Sequence, residues 1–200
     1  MRRTRWLLPL ALVMLAAPSG AQEVELTPFG GVKFGGHVLS PVDSSSVPLN
    51  ESVVYGGMLD IAINEHWAVE LLYSRQPTEL RPRAAQASFP QTVEHYMVGI
   101  QELTDPSGPF TFFGVALLGA TRLDPGLTGA DSELRFAGAL SLGTKVMATE
   151  RLGFRFEARV FYTVVDSGGA LYCQAGTCLF RFDGSGIWQG DVTAGFVVRF

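Results

Sequence analysis

The charged residues with the most regular spacing lie between Leu152 and Val165. Arg155, Glu157 and Arg159 are each two residues apart, so in a strand their side chains share one face. The opposite face is apolar and aromatic, and consists of Phe154, Phe156, Ala158, Val160 and Tyr162. Glu157 could then be shared by both arginines. The spacing therefore favours the pairing of buried charges.

Charged residues of both signs recur opposite the apolar faces of the other alternating segments. The cations are Lys33, Arg135, Lys145 and Arg199, and the anions are Glu25, Asp60 and Glu70. With the triplet they make six cations and four anions, which nearly balance, as charges removed from water must. We predict that they form one salt-bridged network on the inner side of the sheet.

The cysteines and histidines offer little catalytic chemistry. Cys173 and Cys178 are the only two cysteines, and in an exported chain we expect them to form a disulfide, with free thiols or a metal site as alternatives. His95 lies on a predicted inward face, where a neutral, hydrogen-bonded histidine is expected. The sequence contains no G-x-S-x-G, phosphate-loop or H-E-x-x-H pattern. We predict no catalytic residues, no metal and no cofactor.

The elements that position these side chains are predicted to be eight strands. Their predicted bounds are 23–36, 52–63, 66–78, 91–104, 109–123, 132–147, 152–165 and 188–200. The fifth is apolar on both faces, so its inward side stays open. Short connections alternate with long ones, including the predicted loops 37–50 and 166–187. This sorting and the length of the strands are typical of membrane barrels and not of soluble sandwiches.

The sequence thus predicts an all-β fold, an eight-stranded antiparallel up-and-down transmembrane β-barrel with short periplasmic turns and long extracellular loops. Aromatic residues near both ends of the strands predict two interfacial girdles. An eight-stranded barrel is only wide enough for side chains to fill. We therefore expect a packed lumen, with a narrow gated pore as the alternative.

Composition and the first residues indicate export to a membrane. Arg2, Arg3 and Arg5 precede an apolar stretch and the small residues Ser19-Gly20-Ala21, so residues 1–21 are predicted to be a cleaved signal peptide and 22–200 the barrel domain. No later segment has the roughly 18 uninterrupted apolar residues of a membrane helix, although 47% of residues are hydrophobic. Asp and Glu number 19 against 15 Lys and Arg, which argues against nucleic acid as a partner.

Two stretches carry a resemblance to a known family. The opening Glu25-Leu26-Thr27-Pro28-Phe29-Gly30-Gly31 and the closing Gly195-Phe196-Val197-Val198-Arg199-Phe200, with the eight alternating segments, resemble the small bacterial outer-membrane β-barrel proteins. That group includes OmpX, OmpW and the transmembrane half of OmpA. The resemblance implies an outer-membrane address, contact with outer-membrane lipid and a monomer.

The resemblance also implies how the chain would be assembled. Periplasmic chaperones and the barrel-assembly machinery would be its partners, and Phe196, Val198 and Phe200 would be its assembly signal. Unlike full-length OmpA-type proteins, the sequence ends at the barrel, so we expect no peptidoglycan-binding module.

The resemblance leaves three functions open. The first is a non-enzymatic structural or surface-interaction barrel that acts through its extracellular loops. The second is a narrow conduit for small apolar molecules, as in OmpW-like barrels, which the charged inward faces disfavour. The third is a lipid A-modifying enzyme, for which His95 would be the only candidate base and has no evident partner. The loop ligand, conduction and the physiological role are not encoded in any recognisable pattern.

Overall fold

The computed structural model describes residues 23–39, 46–48, 51–80, 89–104, 109–126, 132–164, 170–174, 177–181 and 186–200. Eight long strands in these ranges close into a barrel. They are β1 (Val24–Gly35), β4 (Ser52–Ala62), β5 (Trp67–Leu80), β6 (Phe89–Leu103), β7 (Phe110–Asp124), β8 (Glu133–Met147), β9 (Leu152–Val164) and β12 (Gly186–Arg199). The signal peptide predicted for 1–21 lies outside the described residues.

Each barrel strand pairs antiparallel with its neighbours, in the order β1-β12-β9-β8-β7-β6-β5-β4. The first and last strands close the barrel, because Leu26 of β1 pairs with Val198 of β12 on one side and with Leu59 of β4 on the other. Closure satisfies the backbone groups that an open sheet would leave at its edges. The predicted all-β eight-stranded barrel is confirmed, with strand ends that lie within two residues of the predicted ones.

Alternation along the strands sorts the side chains into two environments. On β8, Leu140 and Leu142 are 67% and 74% exposed on the outer wall. Inside the barrel, Arg155 and Arg159 of β9 are each only 1% exposed. A wall of exposed leucines around a core of buried charge is the reverse of a water-soluble protein, and it suits a barrel surrounded by hydrocarbon.

The inward side of β7, which the sequence left open, is now assigned. Phe113, Val115 and Leu117 are buried in the lumen, whereas Phe112 and Leu118 face outward. The inward residues pack in an apolar cluster whose other members include Phe29, Met58, Leu72, Met97 and Phe161. β7 is apolar on both faces because its inner side packs against other hydrophobic side chains and against the Arg155 guanidinium, which lies over the ring of Phe113.

Short turns connect the strands at one end of the barrel. In the connection 63–66, the side-chain oxygen of Asn64 accepts hydrogen bonds from the backbone N–H of His66 and of Trp67, both at 2.9 Å. Thr149 does the same in the connection 148–151, where it accepts from the N–H of Leu152 at 3.0 Å. These side chains satisfy backbone donors that a tight turn would otherwise leave without a partner.

The segments predicted as loops contain a second sheet. Strands β2 (His37–Leu39), β3 (Ser46–Pro48), β10 (Ala170–Gln174) and β11 (Thr177–Arg181) pair in the order β10-β11-β2-β3. β1 leads into β2 through Gly35 and Gly36, whose φ values are 84° and 91°. Glycine adopts this left-handed conformation without strain. Strands of three to five residues are too short for alternation to reveal them in a sequence.

Among the described residues, no helix is long and apolar enough to cross a membrane.

Candidate functional site

The centre of the lumen is occupied by Arg155, which β9 directs inward. Its guanidinium donates from Nε to Glu157 at 2.8 Å, from Nη1 to Asp60 at 2.9 Å and from Nη2 to Glu70 at 2.7 Å. The side chain also lies over the ring of Phe113, with Cζ 4.2 Å from the ring centroid. One arginine therefore crosses the lumen and joins strands β4, β5 and β9.

The carboxylate of Glu157 is shared by two arginines, as the spacing on β9 predicts. Arg159 donates from Nε to Oε1 of Glu157 at 3.1 Å, while Arg155 binds Oε2. All three side chains are almost fully buried. Alternation alone brings them to one face, because residues i, i+2 and i+4 of a strand point the same way.

Toward the short turns, Lys145 of β8 continues the network. Its ammonium donates to Asp60 and to the amide oxygen of Gln101, both at 3.0 Å, and also contacts Glu25. Glu25 in turn accepts from Nη2 of Arg199 at 2.7 Å. The network thus extends to the last strand, and Arg199 closes this end with contacts to Glu25 and Glu23.

Toward the long connections, the network includes one charged residue, Asp191, that sequence reasoning missed. Asp191 of β12 lies 3.6 Å from Nζ of Lys33 and 3.8 Å from Nη1 of Arg159. Nζ of Lys33 also lies 3.5 Å from Nδ1 of His95 and over the ring of Phe161. Asp191 lies within the predicted last strand, 188–200, next to the outward-facing Val192, so alternation along that strand would have placed it on the inner face.

Arg135 lies apart from the rest of the predicted set. Its Nη2 is 2.7 Å from Glu133, and both side chains are about a quarter exposed, at 24% and 22%. It is near the long-connection end of β8, so its charge is paired at the mouth of the barrel. Arg199, 31% exposed, lies at the opposite end of the barrel, and the remaining predicted charges are buried in the interior.

A cavity of about 340 Å³ opens at the short-turn end and ends at the ionic network. Its lining includes Glu23, Glu65, Gln101, Thr111, Lys145 and Arg199. Asp60 lies at its inner boundary, bound to both Lys145 and Arg155. Farther in, the guanidinium of Arg155 stacks on the ring of Phe113, and both side chains are buried.

The geometry around His95 does not make a nucleophilic site. Ser74 is directly opposite His95 in the β5–β6 pairing, and both are fully buried in the lumen. The hydroxyl of Ser74 nevertheless has no hydrogen-bond partner among the described residues, so no base activates it. The same described residues contain no cluster of His, Cys, Asp and Glu that could hold a metal ion.

Comparison with known proteins identifies the family of this barrel. The sequence matches the outer membrane protein beta-barrel domain family over residues 7–200. The chain belongs to this family. No curated protein matches the sequence. The small bacterial outer-membrane barrels that the sequence resembles are therefore its family, and the protein resides in the bacterial outer membrane.

Solved structures show the same fold at low sequence identity. Neisserial surface protein A matches with a TM-score of 0.62 and 14% identity over 90% of this chain and 98% of that protein. The outer membrane protein AlkL, solved in lipid bilayers, matches with a TM-score of 0.54 and 11% identity over 92% of this chain and 94% of that protein. Identities this low establish the fold and leave the function open.

Membership of the family orients the barrel. Outer-membrane barrels have short turns on the periplasmic side and longer connections outside the cell. The connections 63–66 and 148–151 are therefore periplasmic, as is the cavity beside Lys145. The sheet formed by β2, β3, β10 and β11 belongs to the extracellular connections.

The predicted assembly residues lie on the outer wall of β12 and just beyond it. Phe196 is 40% exposed and Phe200 is 75% exposed, while Val198 is half-buried between them on the same face. Phe196 also makes an edge-on contact with Phe154 of β9, with ring centroids 5.7 Å apart. Their placement suits an interfacial girdle.

Proposed function

We propose that this protein is a non-enzymatic structural and surface-interaction barrel with a closed lumen, which acts through its extracellular connections. The observation that carries the proposal is the position of Arg155, bound to three carboxylates from three strands in the middle of the lumen. Moving this side chain would leave those carboxylates unpaired in a region of low dielectric constant. A solute has no path that avoids this cost.

The extracellular connections supply the surface for interaction. β11, from the last long connection, pairs with β2, from the first, through Arg181 and Leu39. Connections that would otherwise move independently are thus joined in one sheet beyond the barrel rim. A pre-ordered surface loses less conformational entropy when it binds a partner.

Conductance tests the closed lumen. The mature chain, refolded and inserted into planar lipid bilayers, is expected to give no steady openings, because the ionic network spans the lumen. A known porin, inserted in the same way, serves as the control for insertion. Steady ohmic openings would contradict the proposal and favour the conduit.

Adhesion tests the role of the extracellular sheet. Vesicles that carry the protein are compared with vesicles that carry a variant in which residues 165–185 are replaced by a short turn. Adhesion of both vesicle types is measured on a set of immobilised matrix proteins and sulfated polysaccharides. We expect adhesion to depend on the replaced segment, whereas equal adhesion by both vesicle types would contradict a surface role.

The enzyme alternative is disfavoured by accessibility. A lipid-modifying enzyme must present its nucleophile to the bilayer, whereas Ser74 and His95 are buried inside the barrel. The variant His95→Ala should therefore leave the lipid A mass spectrum of expressing cells unchanged. A change in acylation that depends on His95 would overturn the proposal.

A further inference from the structure

The outer wall of the barrel carries an unusual group of charges on three adjacent strands. Arg75 of β5, Glu94 of β6 and Arg122 of β7 are directly paired across the sheet in a single row. All three side chains point outward. Arg75 and Arg122 are the only basic residues on the outer face of the eight described barrel strands. Their grouping around one carboxylate therefore needs an explanation.

Glu94 holds both arginines in place. Oε1 accepts from the hydroxyl of Tyr73 at 3.0 Å and lies 3.6 Å from Nη1 of Arg75. Oε2 accepts from the hydroxyl of Tyr96 at 3.1 Å and from Nη1 of Arg122 at 3.4 Å. The carboxylate is only 8% exposed although it lies on the outer wall. Two tyrosines and two arginines therefore enclose it completely.

The arginines retain free donors. Their side chains are 44% and 42% exposed, and each uses one Nη atom on Glu94. Arg122 gives its other Nη atom to Asp124 at 3.2 Å, but Asp124 is itself 42% exposed. A guanidinium has five N–H donors in a planar fork that matches phosphate oxygens. Most of these donors have no acceptor among the described residues.

The height of the row places it at the membrane surface. Arg75 is eight residues from Trp67, at the periplasmic end of β5; this is about 27 Å along the strand and, at the usual tilt, about 20 Å along the membrane normal. The apolar band of such a barrel is about 25 Å tall, and a long arginine side chain spans the remaining distance to the headgroups. Tyr73 and Tyr96 lie one row closer to the periplasm, with ring centroids 5.2 Å apart, and direct their hydroxyls to Glu94, as the aromatic side chains of an interfacial girdle direct their polar ends toward the headgroups. Lipid phosphate groups lie just outside such a girdle.

We propose that Arg75 and Arg122, positioned by Glu94, form a binding site for phosphate groups of outer-leaflet lipid. In the pairing register the two arginines are two strands apart, about 10 Å, so the site fits a headgroup with two phosphates or two neighbouring lipids. Charge complementarity and reduced access of water both favour this ligand over free anions. The site is independent of whatever the extracellular sheet binds.

Native mass spectrometry of the refolded protein tests the site. The probes are phosphatidic acid and phosphatidylcholine with identical acyl chains, added to the same micelles. Wild type is expected to retain phosphatidic acid in preference to phosphatidylcholine. The double variant R75Q/R122Q is expected to lose about tenfold or more of this affinity, because charge-assisted hydrogen bonds are lost. A double variant that binds phosphatidic acid as wild type does would overturn the proposal.

Controls separate this site from general attraction between charges. Arg151 is exposed in the periplasmic turn 148–151, so R151Q removes one positive charge from the other end of the barrel and should leave retention unchanged, whereas R75Q and R122Q singly should each weaken it. Millimolar inorganic phosphate should not displace the lipid. Full displacement would assign the site to free phosphate and overturn the assignment to lipid. Urea unfolding in vesicles should show that R75Q/R122Q folds normally, since both side chains lie at the surface.

Discussion

At the residue scale, Arg155 illustrates how a narrow barrel accommodates charge without water. Three carboxylates surround one guanidinium, and Glu157 is shared further with Arg159. Removing two opposite charges together can cost little, whereas removing one leaves its partners buried and unpaired. The network therefore stabilises the barrel mainly through the penalty for breaking it.

The variant Arg155→Met should lower the free energy of unfolding by about 3–5 kcal/mol, because Asp60, Glu70 and Glu157 lose a shared partner. Urea titration in lipid vesicles, followed by tryptophan fluorescence, measures the change. The matched control is Arg135→Met, since the Arg135–Glu133 pair is partly exposed and should cost about 1 kcal/mol or less. Equal losses in the two variants would show that the central network has no special role.

Sequence reasoning at this scale found most of the central charges but not their partners. Arg155, Glu157 and Arg159 could be placed on one face because alternation is a local property. That Lys145 meets Glu25, far away in the chain, depends on barrel closure. Glu94 was missed for the same reason, since its role depends on side chains from β5 and β7. Alternation alone could have placed Asp191 on the inner face, but its contacts with Lys33 and Arg159 depend on the pairing of distant strands.

At the element scale, each strand separates hydrocarbon from ions across one layer of backbone. β8 places Leu134 and Leu140 on the outer wall, six residues apart and both 67% exposed. Leu140 lies near the middle of the strand, and Leu134 lies beyond the level of Phe136 at its extracellular end. The two leucines have the same exposure but lie at different depths in the bilayer.

Substitution by arginine should report that depth. Leu140→Arg is expected to destabilise the folded barrel by about 2–4 kcal/mol, because a charge at the midplane is poorly solvated, while Leu134→Arg should cost about 1 kcal/mol or less. Reversible unfolding in vesicles measures both. If the two substitutions cost the same, the assignment of β8 across the bilayer is wrong.

The extracellular strands β10 and β11 bear on the predicted disulfide. Their backbone register pairs Cys173 directly with Cys178, and residues paired in this way are about 4.5–5.5 Å apart at Cα, within the span of a disulfide. Protein from the periplasmic route should take up no iodoacetamide before reduction and two equivalents after it, as judged by mass. Cys173→Ser should take up one equivalent without reduction. Alkylation of both cysteines in unreduced wild type would refute the disulfide.

At the scale of the whole molecule, closure determines how the protein behaves toward other chains. β1 and β12 pair along most of their length, so the barrel offers no free strand edge for association. Its outer wall is mostly apolar and is covered by lipid. The charges in its interior are nearly balanced and bind one another.

The refolded protein should therefore be a monomer. Native mass spectrometry of micelles over a hundredfold range of protein concentration is expected to give one mass, and light scattering in the same detergent provides an independent check. A dimer whose fraction rises with concentration would show that a patch of the wall binds protein instead of lipid.

The sequence by itself determined the barrel, its eight strands, its address and most of the inward charges. These follow from alternation and from the lengths of the connections, which are local properties of the chain. Only the tertiary structure decided which face of β7 points into the lumen and which carboxylates share Arg155. It also decided that Arg75, Glu94 and Arg122 form one row on the outer wall. Barrel closure brings together residues far apart in sequence, and local periodicity carries no information about such partners.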